Sequence, residues 1–141
     1  MFLLDTNVVS ELRKAASGRA DANLVAWARG QKTASLYVSA ITLLELELGV
    51  LQMERRDLTQ GSVLRSWFMN HVLPAFADRV LSVDTAVALQ CARLHMPNRR
   101  AERDCMIAAT ALVHGMTVVT RNVPDFEGTG AALINPWLAS S

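Results

Sequence analysis

The chain has 141 residues, the usual size of one domain, and 51% of them are apolar, ample for one core. Its 14 basic and 13 acidic residues give a formal net charge of +1, which argues against a whole-surface grip on nucleic acid but leaves room for a local basic patch. Cys91 and Cys105 make no disulfide framework, no signal-type apolar segment precedes Asp5, and no uncharged run approaches the ~20 residues that span a bilayer, so a cytoplasmic protein without a membrane segment is expected.

"FLL", residues 2–4, has the length and apolarity of a short strand covered on both faces. Thr6 and Asn7 can cap a helix through "VVSELRKA", with Gly18 as its stop. Asp21 caps a second helix, "ANLVAWAR", which Gly30 ends. "SLYVS", residues 35–39, carries the β-branched and aromatic character of a second strand. In the long amphipathic stretch that follows, Thr42 and Glu45 have the spacing of a capping box, and Leu43, Leu46, Val50 and Met53 keep helical period. "GSVLRSWFMNHVLPAFADR" predicts another helix, bent or ended near Pro74. "RVLSV" reads as a third strand, and Asp84 caps "TAVALQCARLHM" up to Pro97. "AERDCMIAATALVHG" predicts a strongly apolar helix ending at Gly115, "MTVVT" (116–120) a clear strand, "RNVPDFEGTG" a polar turn and "AALIN" a short last strand. Strands alternating with helices imply a parallel sheet covered on both faces, with right-handed crossovers.

Sheets of this kind carry their ligand sites beyond the carboxyl ends of the strands. Four acidic residues fall where those ends and the following helix starts should meet: Asp5 after the first strand, Glu45 in the first turn after the second, Asp104 near the start of the helix before "MTVVT", and Asp125 in the loop after it. Clustered carboxylates repel and cannot all stay ionised without a cation, and an all-oxygen set suits Mg²⁺ or Mn²⁺. Such an ion serves phosphodiester hydrolysis, with no His general base required.

"LLDTN", "SAITLLELELG", "DCMIAATALVHGMTVVTRNVPDF" and "NPW", in that order and spacing, resemble the PIN-domain ribonucleases, in particular the VapC toxins of toxin–antitoxin pairs and their FitB-like branch. The resemblance covers essentially the whole chain and implies one PIN domain over residues 1–141, a three-layer α/β/α sandwich around a mostly parallel sheet of four to five strands. It further implies a metal-dependent endoribonuclease that cleaves RNA with a metal-activated water. Mg²⁺ or Mn²⁺ would be held by the residues matching the family's acids, Asp5, Glu45 and Asp104. Many relatives have a fourth Asp directly after "TR", where this chain has Asn122, so the position falls either to the Asn122 amide oxygen or to Asp125 through water. Asn7 and Thr120 would support the first ligand. A homodimer and an inhibitory antitoxin are implied as partners, with DNA met only through the antitoxin. Leu48, Leu51 and Met53 are candidate contact residues.

Each of these residues has a plainer reading. Asp5, Glu45 and Asp104 could be helix caps, Asp125 a turn residue, and Asp104 an ion-pair partner of the neighbouring arginines. Glu47 is expected on another face, toward solvent or a partner. Cys91 and His95, four apart, have metal-ligand spacing, but with no second such pair in sequence they read as core packing, and Cys105 as a packed thiol without a nearby base. An acidic site that takes RNA needs cations to offset phosphate repulsion, and Arg99, Arg100, Arg103 and Arg121 flank it. Two other functions compete. An aspartyl-phosphate phosphotransferase would use Asp5 as nucleophile, but it lacks a second Asp at position 7 and any lysine after Lys32. A catalytically inert binding or regulatory module would leave the acids idle.

Overall fold

The computed structural model describes residues 1–139. In chain order the main elements are β1 (Phe2–Leu4), α1 (Thr6–Leu12), α2 (Ala22–Arg29), β2 (Leu36–Ser39), α3 (Ala40–Arg56), α4 (Leu58–Trp67), β3 (Val80–Leu81), α5 (Thr85–Leu94), α6 (Glu102–His114), β4 (Thr117–Val119) and β5 (Leu133–Ile134). The five strands form one sheet in the order β3-β2-β1-β4-β5, and every pairing is parallel. The α/β class with a sheet of four to five strands is therefore correct, at five.

Because side chains alternate along a strand, each strand feeds two cores. Leu4, Val38 and Val119 pack on one face against α1, α2, α3 and α4, through Val8, Leu24, Leu46 and Val50. Leu3 and Val118 pack on the other against Ile107, Ala108 and Ala111 of α6 and against Phe126. The strands are short, yet near-continuously apolar, as burial on both sides demands. α5 lies outermost on the second face and meets α6 through Val87, Cys91, Cys105 and Ala109.

Helix starts differ from the sequence expectation in instructive ways. Asp5 itself, not Thr6 or Asn7, caps α1 by accepting the Thr6 N–H. Ser39, the last residue of β2, caps α3 by accepting from Ile41 N–H, so the helix starts earlier than a Thr42 cap implies. Thr42 is fully buried inside α3, and Glu45 stands in the second turn. Asp21 and Asp84 cap α2 and α5 as expected. Near Pro74 the helix both changes pitch and ends, as expected: α4 passes into a π turn over Phe68–Val72, where Leu73 N–H bonds back to Phe68 C=O, and stops after one further turn (Leu73–Ala75). The wider turn accommodates a residue that lacks an N–H. No helix among the described residues is long and apolar enough to cross a membrane.

Candidate active site

β1 delivers Asp5 to the carboxyl edge of the sheet, between β2 and β4, and leaves it only 5% exposed. Both its oxygens are occupied. Oδ1 accepts Thr6 N–H (2.8 Å), while Oδ2 accepts the Thr120 hydroxyl (2.8 Å) and the Asn7 amide (3.1 Å). Thr120 follows β4 directly, fully buried, and its hydroxyl oxygen also takes Asn122 N–H (3.0 Å). Asn7 in turn accepts Arg121 N–H through Oδ1 (3.2 Å). One carboxylate thereby ties the end of β1 to the start of α1 and the end of β4. The cap reading and the site reading of Asp5 are the same geometry.

Glu45 reaches this edge from α3 and accepts the Thr6 hydroxyl through Oε1 (2.7 Å). The Thr6 oxygen also lies 3.3 Å from Thr42 Oγ1. Glu45 Oε2 faces Arg103 at 3.5 Å. The Thr6–Glu45 bond is the contact that sequence reasoning missed, Thr6 having been expected to start α1 and help hold Asp5. Its signal was a hydroxyl directly after the strand-end acid.

Asp104 sits in the first turn of α6, where the positive end of the helix dipole favours an anion. Even so, its carboxyl is pushed up to about 6, first by burial and then by the negative charges of Asp5, Asp125 and Glu45, with Arg103 only partly offsetting them. Asp5 is raised too. Burial is the main cause, opposed by the bonds from Thr120, Thr6 and Asn7, and the Glu45 charge adds to it. Asp125 lies in a short 3-10 turn (Val123–Phe126) that the buried Phe126 anchors to the core beside α6. That anchor brings an exposed loop acid into electrostatic range of Asp104. Asn122 opens the same turn, and its C=O receives the Asp125 N–H (3.0 Å). The fold thus gathers all four predicted acids, with Asn7, Thr120 and Asn122, on one edge.

The arginines divide. Arg99 is 84% exposed and pairs loosely with Glu102 (3.7 Å), and Arg103 borders Glu45. Arg121 is exposed and lies 5.5 Å over the Trp137 ring. Arg100 is held differently: its guanidinium donates to Leu94 C=O (3.2 Å) and Glu127 C=O (3.0 Å), bracing the segment before α6 against the loop after β4. Next to the acids, a pocket of about 340 Å³ runs along Thr6, Asn7, Glu45, Arg13, Lys14 and Trp67. The Glu47 side chain is 40% exposed, as a solvent-facing position should be, but it is paired: Arg65 of α4 binds it (2.9 Å) together with Glu54 (3.1 Å).

An all-oxygen cluster whose charges raise one another, with only one arginine in partial compensation, is a donor set that fits a hard divalent cation. Comparison with known proteins identifies relatives over nearly the whole chain. The PIN domain family model matches residues 2–127. The chain is 40% identical over 145 residues to VapC ribonuclease Y4jK of Sinorhizobium fredii, covering 97% of this chain and 98% of that protein. It is 38% identical over 143 residues to toxin FitB of Neisseria gonorrhoeae, covering 97% and 99%. Among solved structures, FitAcB from Neisseria gonorrhoeae superposes with a TM-score of 0.86 at 36% identity, covering 97% of this chain and 99% of that one.

Proposed function

The chain belongs to the PIN-domain family, and on that premise we propose that it is a divalent-metal-dependent endoribonuclease, the toxin of a toxin–antitoxin pair. One observation carries the reading: Asp104 is held up to about 6 beside Asp5, Glu45 and Asp125, so the site is short of positive charge in its resting state. Asp5, Glu45 and Asp104 would hold Mg²⁺ or Mn²⁺, with the fourth position filled by Asp125 or the Asn122 amide. When bound, such an ion lowers the pKa of a water and offsets charge on the phosphate oxygens.

The chain's own groups do the rest. Thr120, Asn7 and the Thr6 N–H fix both Asp5 oxygens, so the carboxylate is oriented before an ion or substrate arrives. Thr6 does the same for Glu45. Arg99, Arg103 and Arg121 offer cations to RNA phosphates around an otherwise repulsive edge, while Arg100 braces the segment that carries Arg99 against the loop after β4, which carries Arg121. The substrate class is single-stranded or loop RNA, whose unstacked strand can enter an open edge. The relatives' names support a toxin partnered by an antitoxin. With that go a homodimer, a cytoplasmic setting and contact with DNA only through the antitoxin. The aspartyl-phosphate alternative gains nothing from the geometry, because both Asp5 oxygens are engaged and position 7 is an amide.

The test is cleavage of labelled RNA by antitoxin-free protein, with Mg²⁺ or with EDTA, beside Asp5→Asn and Asp104→Asn. Cleavage is expected only from the unsubstituted protein with metal. Cleavage that survives EDTA or both substitutions overturns the proposal. Ion binding with no RNA cut under any condition favours the inert module.

A further inference from the structure

On the far side of α6 from the acidic edge lies a second cluster that no step above uses. Cys91 and His95 project from α5, and Cys105 meets them from α6. The Cys91 and Cys105 sulfurs and a His95 ring nitrogen all lie within 4.8 Å of one another. Cys91 Sγ stands 3.9 Å from His95 Nε2, and Glu102 Oε1 lies 3.3 Å from the same nitrogen. Cys105 was expected to be isolated, but the packing of α5 on α6 supplies the partners that sequence spacing could not. Both thiols are buried and free, and a pocket of about 290 Å³ lined by Val83, Cys91, His95, Glu102 and Met106 reaches Cys91 and His95 from solvent.

We propose that Cys91, His95 and Cys105, completed by Glu102, form a second cation site for a thiolate-preferring ion of the zinc class. Two sulfurs, one imidazole nitrogen and one carboxylate oxygen match the ligand types and count of a closed tetrahedral site. Bond lengths of about 2.0–2.3 Å imply ligand-to-ligand edges of about 3.3–3.8 Å. The observed 3.3 and 3.9 Å already fall near that range, and the other pairs among Cys91, His95 and Cys105, all within 4.8 Å, need to close by at most about 1 Å. Binding exchanges the two thiol protons for the ion, and they leave to solvent.

Two existing contacts oppose it. The Cys105 thiol donates to Cys91 C=O (3.4 Å), a bond given up when that proton leaves. His95 Nδ1 accepts Arg100 N–H (3.1 Å), which places the ring proton on Nε2, toward Glu102. Loading Nε2 moves that proton to Nδ1, and the Arg100 N–H must turn away. Occupancy is therefore linked to the segment carrying Arg99, Arg100 and Arg103 and leading into Asp104. The site would clamp α5 to the start of α6 and reset the basic approach to the acidic edge.

Cobalt(II) is the probe, added to reduced, metal-free full-length protein. The expected result is stoichiometric uptake with a thiolate-to-cobalt charge-transfer band in the near ultraviolet, bleached by zinc. Cys91→Ala and Cys105→Ala should each remove the band. Glu102→Gln, at an exposed carboxylate that folding does not need, should weaken uptake about tenfold. Asp5→Asn should leave the band intact. No charge-transfer band in the reduced protein overturns the proposal. So does a band that survives loss of both cysteines, or one that Asp5→Asn abolishes.

Discussion

Two groups of acids in this molecule carry opposite signs of perturbation. On the α3–α4 arm, Glu47 and Glu54 share Arg65, and the hydrogen bond from that guanidinium holds the Glu54 carboxyl below its usual value. On the sheet edge, Asp5 and Asp104 are pushed upward, by burial first; the charges of Asp5, Asp125 and Glu45 add to it at Asp104, and that of Glu45 at Asp5. The first region contains its own counter-charge and is finished when it folds. The second lacks a full counter-charge, and under the proposed function a cation from outside supplies it. Perturbation upward, in a cleft, without a local partner, separates a working carboxylate from a structural one.

The largest way to break the comparison is to neutralise one acid in each region. Asp5→Asn or Asp104→Asn should cut RNA cleavage by about a thousandfold or more, since several kcal/mol of charge stabilisation go with the ion. Glu54→Gln should leave the cleavage rate unchanged in the same assay. Next comes the ion itself. Mg²⁺ at about a hundred times its Kd should stabilise the metal-free protein by about 2.7 kcal/mol, read as a raised melting temperature that Asp104→Asn removes.

The arm can be broken without touching the site. A Cβ at Gly61 of α4 would stand 2.5 Å from Glu54 Cα of α3, so Gly61→Ala must push the helices apart. A loss of about 1–3 kcal/mol in denaturant unfolding is expected, with residual folded protein keeping its cleavage rate.

The pH dependence follows from Asp104. Its folded value, about 6, lies above the ordinary aspartate value of 3.8, so between the two the folded state binds the proton more than the unfolded state does. Without metal, stability contributed by this group is lost as pH rises through about 6 and regained as pH falls toward 4. Melting temperatures of metal-free protein across that window should show the rise on acidification, and Asp104→Asn should flatten it. The smallest effect is Arg65→Gln: a half-exposed ion pair on the surface contributes little, so a slight fall in melting temperature and no change in cleavage are expected.

Much of the layout can be read without coordinates. Apolar runs of strand length, capped amphipathic helices and the alternation of the two lead to a parallel sheet with its acids at the carboxyl edge. Asp21 and Asp84 were legible as caps because a short acid before an apolar helical run has one local use. The helix start at Ser39 was not, because Ser39 belongs to the strand pattern and Thr42 offered a second box-like spacing. A bend or end near Pro74 was legible, but which of the two was not, because the π turn that precedes it leaves no mark in composition.

The sequence by itself determined the class of fold and the identity of the four acids, since periodicity and residue type are local properties. Tertiary structure alone decided how those acids are held and what opposes them. The Asp5–Thr120 bond joins residues 115 apart, the Thr6–Glu45 bond joins residues 39 apart, and Arg65 reaches Glu47 across 18. The same is true of Cys105 beside Cys91 and His95. Distances of this kind follow from which helices pack together, and packing is set by the whole core rather than by any one segment.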